Sequence, residues 1–201
     1  RENNLREPLV SIGLCVRNGG KYLREALDSL LAQTHTNFEL IISDNASNDD
    51  TQKIGEEYAA KDGRIRYVRQ KENIGGEANY DFVRRESRGD YFMYAANDDL
   101  WVSRFIEKCL AKFKEYPGAI VVFPNFCTFD DSGRVMMYYP EKYFPYPLDL
   151  YPRLKSYLLS RGQYGKGTII YGLWKKHIPA DTISLHDSTS EIIYIFKTLC
   201  T

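Results

Sequence analysis

The chain has 201 residues, and its 27 Lys and Arg residues balance its 27 Asp and Glu residues, so the formal net charge is zero. A general nucleic-acid binder carries a basic excess, so this balance argues against nucleic acid as a partner. The composition, 43% hydrophobic and 27% charged, is that of a globular domain and excludes a disordered, collagen-like or coiled-coil chain. No apolar run reaches the roughly 18 residues of a membrane span. The 4 widely spaced cysteines favour a reducing, cytoplasmic location over a disulfide framework or a zinc site.

The first half of the sequence alternates predicted strands with predicted helices. Residues 9–16 and 38–43 are nearly continuous apolar runs, the pattern of strands buried on both faces of a parallel sheet. In chain order, the predicted elements are a strand over 9–16, a helix over 21–33, a strand over 38–43, a helix through Ile54 and Tyr58, a strand over 64–68, a helix over 77–87, a strand over 91–95 and a helix over 103–115. This alternation with short loops predicts a doubly wound, mostly parallel α/β sheet with helices on both faces.

The second half changes character and predicts a smaller, mixed or antiparallel part. Its predicted elements are a strand over 119–123 that continues toward Phe129, a returning strand over 134–138, a tyrosine- and proline-rich connector over 138–152, a helix over 153–160, a glycine-rich loop over 161–167, a strand over 168–171 and a final helix opened by Glu191. A tight turn at 130–133 makes the first two of these a hairpin. No repeat or linker divides the chain, so we predict one domain over residues 1–201. The last residues still have a helical pattern, so we expect the domain to continue beyond them.

Polar groups follow each of the four predicted strands of the first half. In parallel α/β sheets, ligands bind outside the carboxyl ends of the strands, so these groups are expected to share one binding edge. The groups are Arg17-Asn18, Asp44-Asn45, the loop over 69–76 and Asn97-Asp98-Asp99.

The adjacent carboxylates of Asp98 and Asp99 predict a cation site. Two neighbouring like charges repel each other, and oxygen ligands suit Mg²⁺ or Mn²⁺, which commonly bridge to substrate phosphates. The alternative is that Asp99 only caps the following helix. Asp44 stands directly at a strand end, where a carboxylate can accept hydrogen bonds from a ribose or a base. Asp49 or Asp50 is predicted to cap the next helix.

Motifs of several other enzyme classes are missing from the sequence. No GxGxxG follows a strand, residues 162–168 lack the GxxxxGK[ST] spacing, and no GxSxG is present. Dinucleotide binding, P-loop chemistry and serine hydrolysis are therefore disfavoured. His35 and His177 stand alone and are predicted to lie on the surface.

The ordered motifs resemble those of the family 2 glycosyltransferases, which have the GT-A fold. Asp44–Thr51 matches the family's Asp-Asp-Gly-Ser-x-Asp-x-Thr segment, and Asn97-Asp98-Asp99 falls at its metal-binding DxD position. Further matching pieces are Pro8–Ile12, Asn18–Leu23, Ser29–Thr34, Phe38–Ile42, Asn73–Gly75 and Gly89–Tyr91. The resemblance implies inverting transfer of a sugar from a nucleotide-diphosphate sugar, with a UDP-sugar favoured. The acceptor would be a hydroxyl of a saccharide or lipid-linked saccharide, in cell-surface polysaccharide or glycolipid synthesis.

The resemblance also implies roles for particular residues. Donor binding would fall to residues 1–100 and acceptor binding to residues 101–201. Asp98 would approach the ribose or the sugar, and Asp99, together with Asp98, would bind Mn²⁺ or Mg²⁺. The other donor-binding residues would be Val16, Arg17, Asn18, Asp44, Asn45, Asn73, Gly75, Asn79 and Asn97. The protein would act in the cytoplasm, with peripheral contact to the inner face of the membrane.

The base that activates the acceptor is expected in the C-terminal half. In the family it opens the helix after an Arg/Lys-rich turn, which places it at Glu191, with Asp187 as the second choice. Either residue could instead simply cap that helix. The aromatic stretch over 138–152 could stack against a sugar acceptor or merely pin a connector to the core.

Two departures from the family pattern keep other functions open. Asn97 and Asn45 stand where the family usually has Asp. The change at Asn97 predicts weaker metal binding, and the change at Asn45 predicts altered contacts to the nucleotide base. One alternative is therefore a nucleotide-sugar binding protein without turnover. Another is a sugar nucleotidyltransferase, although such enzymes carry a longer basic, glycine-rich loop after the first strand than residues 17–21 provide.

Overall fold

The structure is a computed structural model that describes residues 6–119, 121–123, 125–139 and 170–176. The chain divides into two compact units, one formed by residues 1–122 and 171–177 and the other by residues 123–170 and 178–201. The proposed bases Asp187 and Glu191, His177 and the elements predicted from residue 140 to residue 169 lie outside the described residues. The prediction of one domain over 1–201 stays a prediction.

The described residues form eight strands and four helices, which largely follow the predicted order. The strands are β1 Val10–Val16, β2 Phe38–Asp44, β3 Ile65–Arg69, β4 Tyr91–Ala95, β5 Val121–Val122, β6 Phe126–Phe129, β7 Val135–Tyr139 and β8 Leu173–Lys175. The helices are α1 Leu23–Leu31, α2 Thr51–Lys61, α3 Gly76–Glu86 and α4 Phe105–Glu115. Each predicted helix of the first half is therefore present, with ends that differ by at most two residues where both ends were predicted.

The first unit is built on a six-stranded sheet in the order β3-β2-β1-β4-β8-β5. β1 runs parallel to β2 and β4, and β2 runs parallel to β3. β8 is antiparallel to both β4 and β5, so one side of the sheet is mixed. The predicted α/β fold with a mostly parallel sheet is confirmed.

The central strands are nearly unbroken apolar runs in the sequence because their side chains are buried. Val10, Ile12 and Leu14 of β1 are fully buried on one face of the sheet, and on the other face Gly13 packs against Val83 of α3. α1 buries Leu23, Ala26, Leu27 and Leu30, which recur at helical spacing along one face. The three leucines of α1 belong to one hydrophobic core with Val10, Ile12 and Leu14 of β1 and with Ile106 of α4. The core holds the sheet rigid and leaves the loops at its carboxyl edge free to carry polar groups.

Three predictions about local structure are wrong. The strand predicted over 119–123 does not continue to Phe129, since β5 and β6 belong to different sheets and Pro124, which has no N–H for a ladder, stands between them in the sequence. Of the strand predicted over 168–171, only Ile170 and Tyr171 are described; they form a 3-10 helical turn, and the strand of this region is β8, which begins at Leu173. His35 is not a surface residue, because its ring is buried and its Nε2 lies 3.0 Å from the carbonyl oxygen of Pro8.

The described part of the second unit contains the predicted hairpin, formed by β6 and the antiparallel β7. Asp130 closes its turn, because its Oδ1 accepts hydrogen bonds from the backbone N–H groups of Ser132 and Arg134 at 3.0 and 3.1 Å. Gly133 adopts the positive φ of 79° that this turn requires. None of the helices in the described ranges is long and apolar enough to cross a membrane.

Candidate functional site

Strand register brings the four polar groups to one edge of the sheet. Val16 at the end of β1 is in register with Asp44 of β2, and Asp44 is in register with Arg69 of β3. On the other side of β1, Leu14 is in register with Ala95, the last residue of β4. Because all four strands are parallel, the loops that follow them leave the sheet on the same side, as the sequence predicts.

The loop after β1 and the loop after β2 are tied together by hydrogen bonds. Asn18, which has a φ of +54°, donates its backbone N–H to Ser47 Oγ at 2.9 Å and accepts the N–H of Asn48 on its side-chain oxygen at 3.0 Å. The N–H of Gly19 is bound by Thr51 Oγ1 at 2.9 Å. The side chain of Asn18 therefore holds the second loop, while Arg17 beside it is exposed.

Asp49, one of the two residues predicted to cap α2, accepts backbone hydrogen bonds at the start of that helix. Its Oδ1 accepts the N–H of Thr51 at 3.0 Å, and its Oδ2 accepts the N–H of Gly20 at 2.9 Å. Burial by itself would raise the pKa of Asp49, but these hydrogen bonds outweigh it and lower that pKa. Asp50 makes no capping hydrogen bond with its side chain.

Asp44 is fully buried and already surrounded by donors. Its Oδ1 accepts the N–H of Ser47 at 2.8 Å, while its Oδ2 accepts the hydroxyl of Tyr67 at 2.6 Å and Nη1 of Arg69 at 2.9 Å. Nη2 of Arg69 also binds the carbonyl oxygen of Ser47 at 2.8 Å. Asp44 therefore anchors the loop after β2, and a direct contact with a ligand would have to use the remaining lone pair of Oδ1.

The two residues that hold Asp44 come from the end of β3. Burial, and then the hydrogen bond to Asp44, raise the pKa of the Tyr67 hydroxyl, which stays protonated and donates at neutral pH. Sequence reasoning missed Tyr67, which belongs to the predicted strand over 64–68, and it placed Arg69 in the polar loop over 69–76 without linking it to Asp44. Only the pairing of β2 with β3 puts them beside a carboxylate.

Buried amides attach the segment of residues 70–79 to the end of β2. Asn45, only 4% exposed, accepts the N–H of Ile74 on Oδ1 at 2.8 Å and donates from Nδ2 to the carbonyl oxygen of Gly75 at 3.1 Å. Asn79, 2% exposed, donates to the carbonyl oxygen of Ser43 at 3.1 Å and accepts the hydroxyl of Ser43. The structure thus places Asn79 and Asn45 in one network.

Asn73 and Gly75 lie on the exposed side of the same segment. The side-chain oxygen of Asn73 accepts the N–H of Gly75 at 3.1 Å, and Gly75 has a φ of +86°. This backbone conformation suits glycine, since a side chain at that φ would be strained. α3 begins directly afterwards, so its N-terminus opens at this edge of the sheet.

The group after β4 differs from the others in its charge. Asn97 packs on Gly19, where an added Cβ would lie 2.7 Å from its Nδ2. Asp98 and Asp99 are exposed, and within the described residues no hydrogen bond or ion pair engages either carboxylate. Partial desolvation of its carboxylate by the surrounding protein atoms, and then the charge of Asp98, raise the pKa of Asp99.

The alternative that Asp99 caps the next helix is wrong. α4 begins at Phe105, and the residue that precedes it is Arg104. The Asp98–Asp99 pair is therefore left with its charge at the binding edge, where oxygen donors would suit a hard cation. No group of three or more His, Cys, Asp or Glu side chains in the described ranges could hold a metal. A cation here would need water or substrate phosphate as its other ligands.

A mostly parallel sheet with four polar loops at its carboxyl edge, and a carboxylate pair there that no described residue neutralises, is typical of a ligand-binding α/β domain. Residues 11–173 match the sequence model of the family described as Glycosyl transferase family 2. The chain belongs to this family, and the resemblance seen in the motifs is confirmed.

Curated relatives agree with this assignment. An uncharacterized glycosyltransferase of Rickettsia typhi is 40% identical over 106 residues, which cover 53% of this chain and 32% of that protein. The chondroitin synthase of Escherichia coli is 34% identical over 131 residues, which cover 65% of this chain and 19% of that protein. The chain thus spans about a third and about a fifth of the lengths of these two relatives.

Solved structures confirm the GT-A fold. TarS of S. aureus in complex with UDP superposes with a TM-score of 0.74 at 20% identity, covering 94% of this chain and 54% of that one. TarS is also known in complex with UDP-GlcNAc, with a TM-score of 0.73 and 19% identity over 94% of this chain and 53% of that one. The mannosyltransferase PcManGT of Pyrobaculum calidifontis, in complex with GDP-Man and Mn²⁺, gives 0.53 at 21% identity over 63% of this chain and 37% of that one. At such identities, the fold is what the chains share.

We predict that Tyr67→Phe destabilises the protein more than Tyr58→Phe. Both hydroxyls donate to an aspartate, but Asp44 is fully buried, whereas Tyr58 binds Asp28 on the surface at 2.7 Å. Loss of a hydrogen bond to a buried carboxylate should lower the free energy of unfolding by about 2 kcal/mol, measured by urea denaturation. The surface variant should lose less than about 1 kcal/mol. Equal losses would show that Asp44 does not depend on Tyr67.

We also predict that Asp98→Asn lowers the pKa of Asp99. The substitution removes the like charge that disfavours ionisation, while the burial of Asp99, the larger cause, remains. The pKa of Asp99, followed by NMR of its carboxyl carbon, should fall but stay above its ordinary value. Asp90→Asn, at the opposite edge of the sheet, should leave it unchanged. An unchanged pKa in Asp98→Asn would mean that the two carboxylates do not interact.

Proposed function

We propose that this chain is an inverting glycosyltransferase that moves a sugar from a nucleotide-diphosphate sugar, with a UDP-sugar favoured, to a hydroxyl acceptor. The observation that carries the proposal is the exposed Asp98–Asp99 pair, which shares an edge with three loops built from amides and backbone N–H groups. The divalent cation that accompanies a diphosphate donor would bind between this pair and the phosphates and offset part of the charge of both. The UDP and UDP-GlcNAc complexes of TarS, a protein of the same fold, support the choice of nucleotide.

The donor would lie across the loops that follow β1, β2 and β3. Arg17 supplies an exposed cation, and Gly75 leaves room beside the N-terminus of α3, where backbone N–H groups favour an anion. Asp44 would act mainly through the loop shape that it maintains. The proposed donor-binding residues are Val16, Arg17, Asn18, Asp44, Asn45, Asn73, Gly75, Asn79, Asn97 and Asp98.

Asp98 and Asp99 would hold Mn²⁺ or Mg²⁺, and Asp98 would also approach the ribose or the sugar. When bound, the cation neutralises the charge that develops on the diphosphate leaving group. The PcManGT complex with GDP-Man and Mn²⁺ supports a divalent ion in this fold. Asn97 packs against Gly19, so it would contribute shape rather than charge to the site.

Glu191 is the proposed general base, with Asp187 as the second choice. The carboxylate would take the proton of the acceptor hydroxyl while the hydroxyl oxygen forms a bond to the anomeric carbon. The bond from that carbon to the diphosphate oxygen breaks at the same time, and the electron pair leaves with the nucleoside diphosphate. Attack from the face opposite to the leaving group inverts the anomeric centre.

The acceptor would be a saccharide or a lipid-linked saccharide of the cell surface. Chondroitin synthase among the relatives supports a polysaccharide product. Such acceptors fit a protein that works in the cytoplasm with peripheral contact to the inner face of the membrane. The aromatic stretch over 138–152 is our proposed stacking surface for the sugar.

Calorimetric titration of UDP with and without Mn²⁺ tests the donor site. Wild type should bind UDP at least about 10-fold more tightly with Mn²⁺, and Asp99→Ala should lose this gain, because the metal then lacks a charged ligand. Asp62→Ala, which removes a carboxylate at the opposite edge, should bind like wild type. UDP binding that ignores both Mn²⁺ and Asp99→Ala contradicts the metal site. No binding of UDP, GDP or dTDP contradicts the transferase proposal.

Substitution of the base separates turnover from binding. Glu191→Gln should bind UDP like wild type but lose sugar transfer by about 100-fold or more, since the acceptor hydroxyl keeps its proton. Transfer is measured as UDP release with a panel of donors and acceptors. Asp187→Asn is the matched control and should transfer nearly normally. The reverse ranking would make Asp187 the base, and binding without any turnover in wild type would favour the nucleotide-sugar binding protein.

A further inference from the structure

Asn45 pairs with the Ile74–Gly75 segment as a second strand would. Its Oδ1 accepts the N–H of Ile74 at 2.8 Å, and its Nδ2 donates to the carbonyl oxygen of Gly75 at 3.1 Å. The two backbone partners fix the orientation of the side chain, since an N–H must meet an oxygen and a carbonyl oxygen must meet an N–H. Only a group that donates and accepts at the same time satisfies both partners.

The segment is held at further points by neutral groups. Gln70 donates its backbone N–H to the carbonyl oxygen of Asp44 at 2.8 Å and its Nε2 to Ser43 Oγ at 3.0 Å. Asn79 donates its backbone N–H to the carbonyl oxygen of Gly75 at 3.3 Å, so this oxygen serves both α3 and Asn45. Asn45 therefore sets where the segment turns into the helix.

The outer side of the same segment is open. Residues 71–78 are exposed, whereas Asn45 and Asn79 are nearly fully buried. Residues 70–76 of this segment thus form a wall at the carboxyl edge of the sheet, and the described residues hold this wall along its inner side only. Since so few contacts hold it, a single lost bond should move it appreciably.

We propose that Asn45 is a positioning residue that holds the wall of residues 70–76 in the shape that binds the nucleotide, and that this task requires an amide. The proposal rests on the proposed function, because it assigns a purpose to the wall. It also explains why the chain departs from the family pattern at this position. A carboxylate would accept the N–H of Ile74 but would face the carbonyl oxygen of Gly75 without a proton between the two oxygens.

This requirement predicts a response to pH that a mere loss of packing would not produce. A protonated carboxyl group has one donor and one acceptor, as the amide has. In Asn45→Asp, burial and the facing carbonyl oxygen should favour the protonated form, so acid should restore the missing bond. The charged groups beside Asn45 are Asp44, which is paired with Arg69, and those of the segment that it contacts, Lys71, Glu72 and Glu77, and all of them are the same in every variant.

The test compares Asn45→Asp, Asn45→Ala and Asn37→Asp with wild type. Asn37 is the matched control, because its Nδ2 also donates to a backbone carbonyl, that of Glu7 at 2.7 Å, but before β2 at the opposite edge. UDP affinity with Mn²⁺ is measured by calorimetry at about pH 7.5 and about pH 5.5, and each variant is compared with wild type at the same pH.

Asn45→Asp should bind UDP about 10-fold more weakly than wild type at the higher pH and within about threefold of it at the lower pH. Asn45→Ala should show the same deficit at both values, and Asn37→Asp should show none. Wild-type affinity in Asn45→Asp at the higher pH overturns the proposal. A deficit in Asn45→Asp that does not shrink in acid also overturns it.

Amide hydrogen exchange separates this proposal from the function on which it rests. At a fixed pH, the N–H of Ile74 should exchange at least about 10-fold faster in Asn45→Ala than in wild type, and Asn37→Asp should not change it. Unchanged exchange means that Asn45 does not hold the wall. If exchange rises in Asn45→Ala but wild type binds no nucleotide, then Asn45 does hold residues 70–76 in place. The proposed function, and with it the purpose assigned to the wall, is overturned.

Discussion

The binding edge of this protein depends on one buried carboxylate. Asp44 has no exposed surface, and ionised in that position it must be compensated by hydrogen bonds and by charge. Tyr67 and Arg69 supply both from the neighbouring strand, while Ser47 supplies a backbone N–H from the loop. The same contacts fix the ends of β2 and β3 and the turn that follows β2. The neighbouring loops are then placed relative to this turn, through Ser47 and Thr51.

Asp44 and the Asp98–Asp99 pair lie at the same edge of the sheet but have opposite surroundings. Asp44 forms an ion pair with Arg69 inside the protein, whereas Asp98 and Asp99 remain exposed with no partner among the described residues. The raised pKa of Asp99 shows that its ionised form is disfavoured where it stands. A protein that keeps such a pair at a binding edge forgoes stability there, which is common at functional sites. The amides of Asn45 and Asn79 add shape without adding charge, so the local field is left to the carboxylate pair.

Much of this arrangement could be predicted from the sequence, and the failures have physical causes. Buried strands and amphipathic helices leave apolar periods that need no knowledge of partners, so the α/β order was predictable. The strand predicted over 168–171 is wrong at Ile170 and Tyr171, because a short apolar run fits a turn as well as a strand, and only pairing with β4 places the strand at β8. His35 failed because its two carbonyl partners come from other segments. Tyr67 carried no signal, and Arg69 was predicted only as part of a polar loop, since the role of both depends on the pairing of β3 with β2.

The sequence by itself determined the fold class and the family, and it predicted the edge of the sheet and the carboxylate pair that form the candidate site. These follow from local patterns, because periodicity and the order of motifs are properties of neighbouring residues. The tertiary structure alone decided which polar side chains bind other protein groups and which are left without a partner among the described residues. Asp44 and Asp98 look alike in the sequence, since each follows a buried strand. They differ only because β3 runs beside β2 and brings donors to Asp44, whereas within the described residues no donor reaches Asp98.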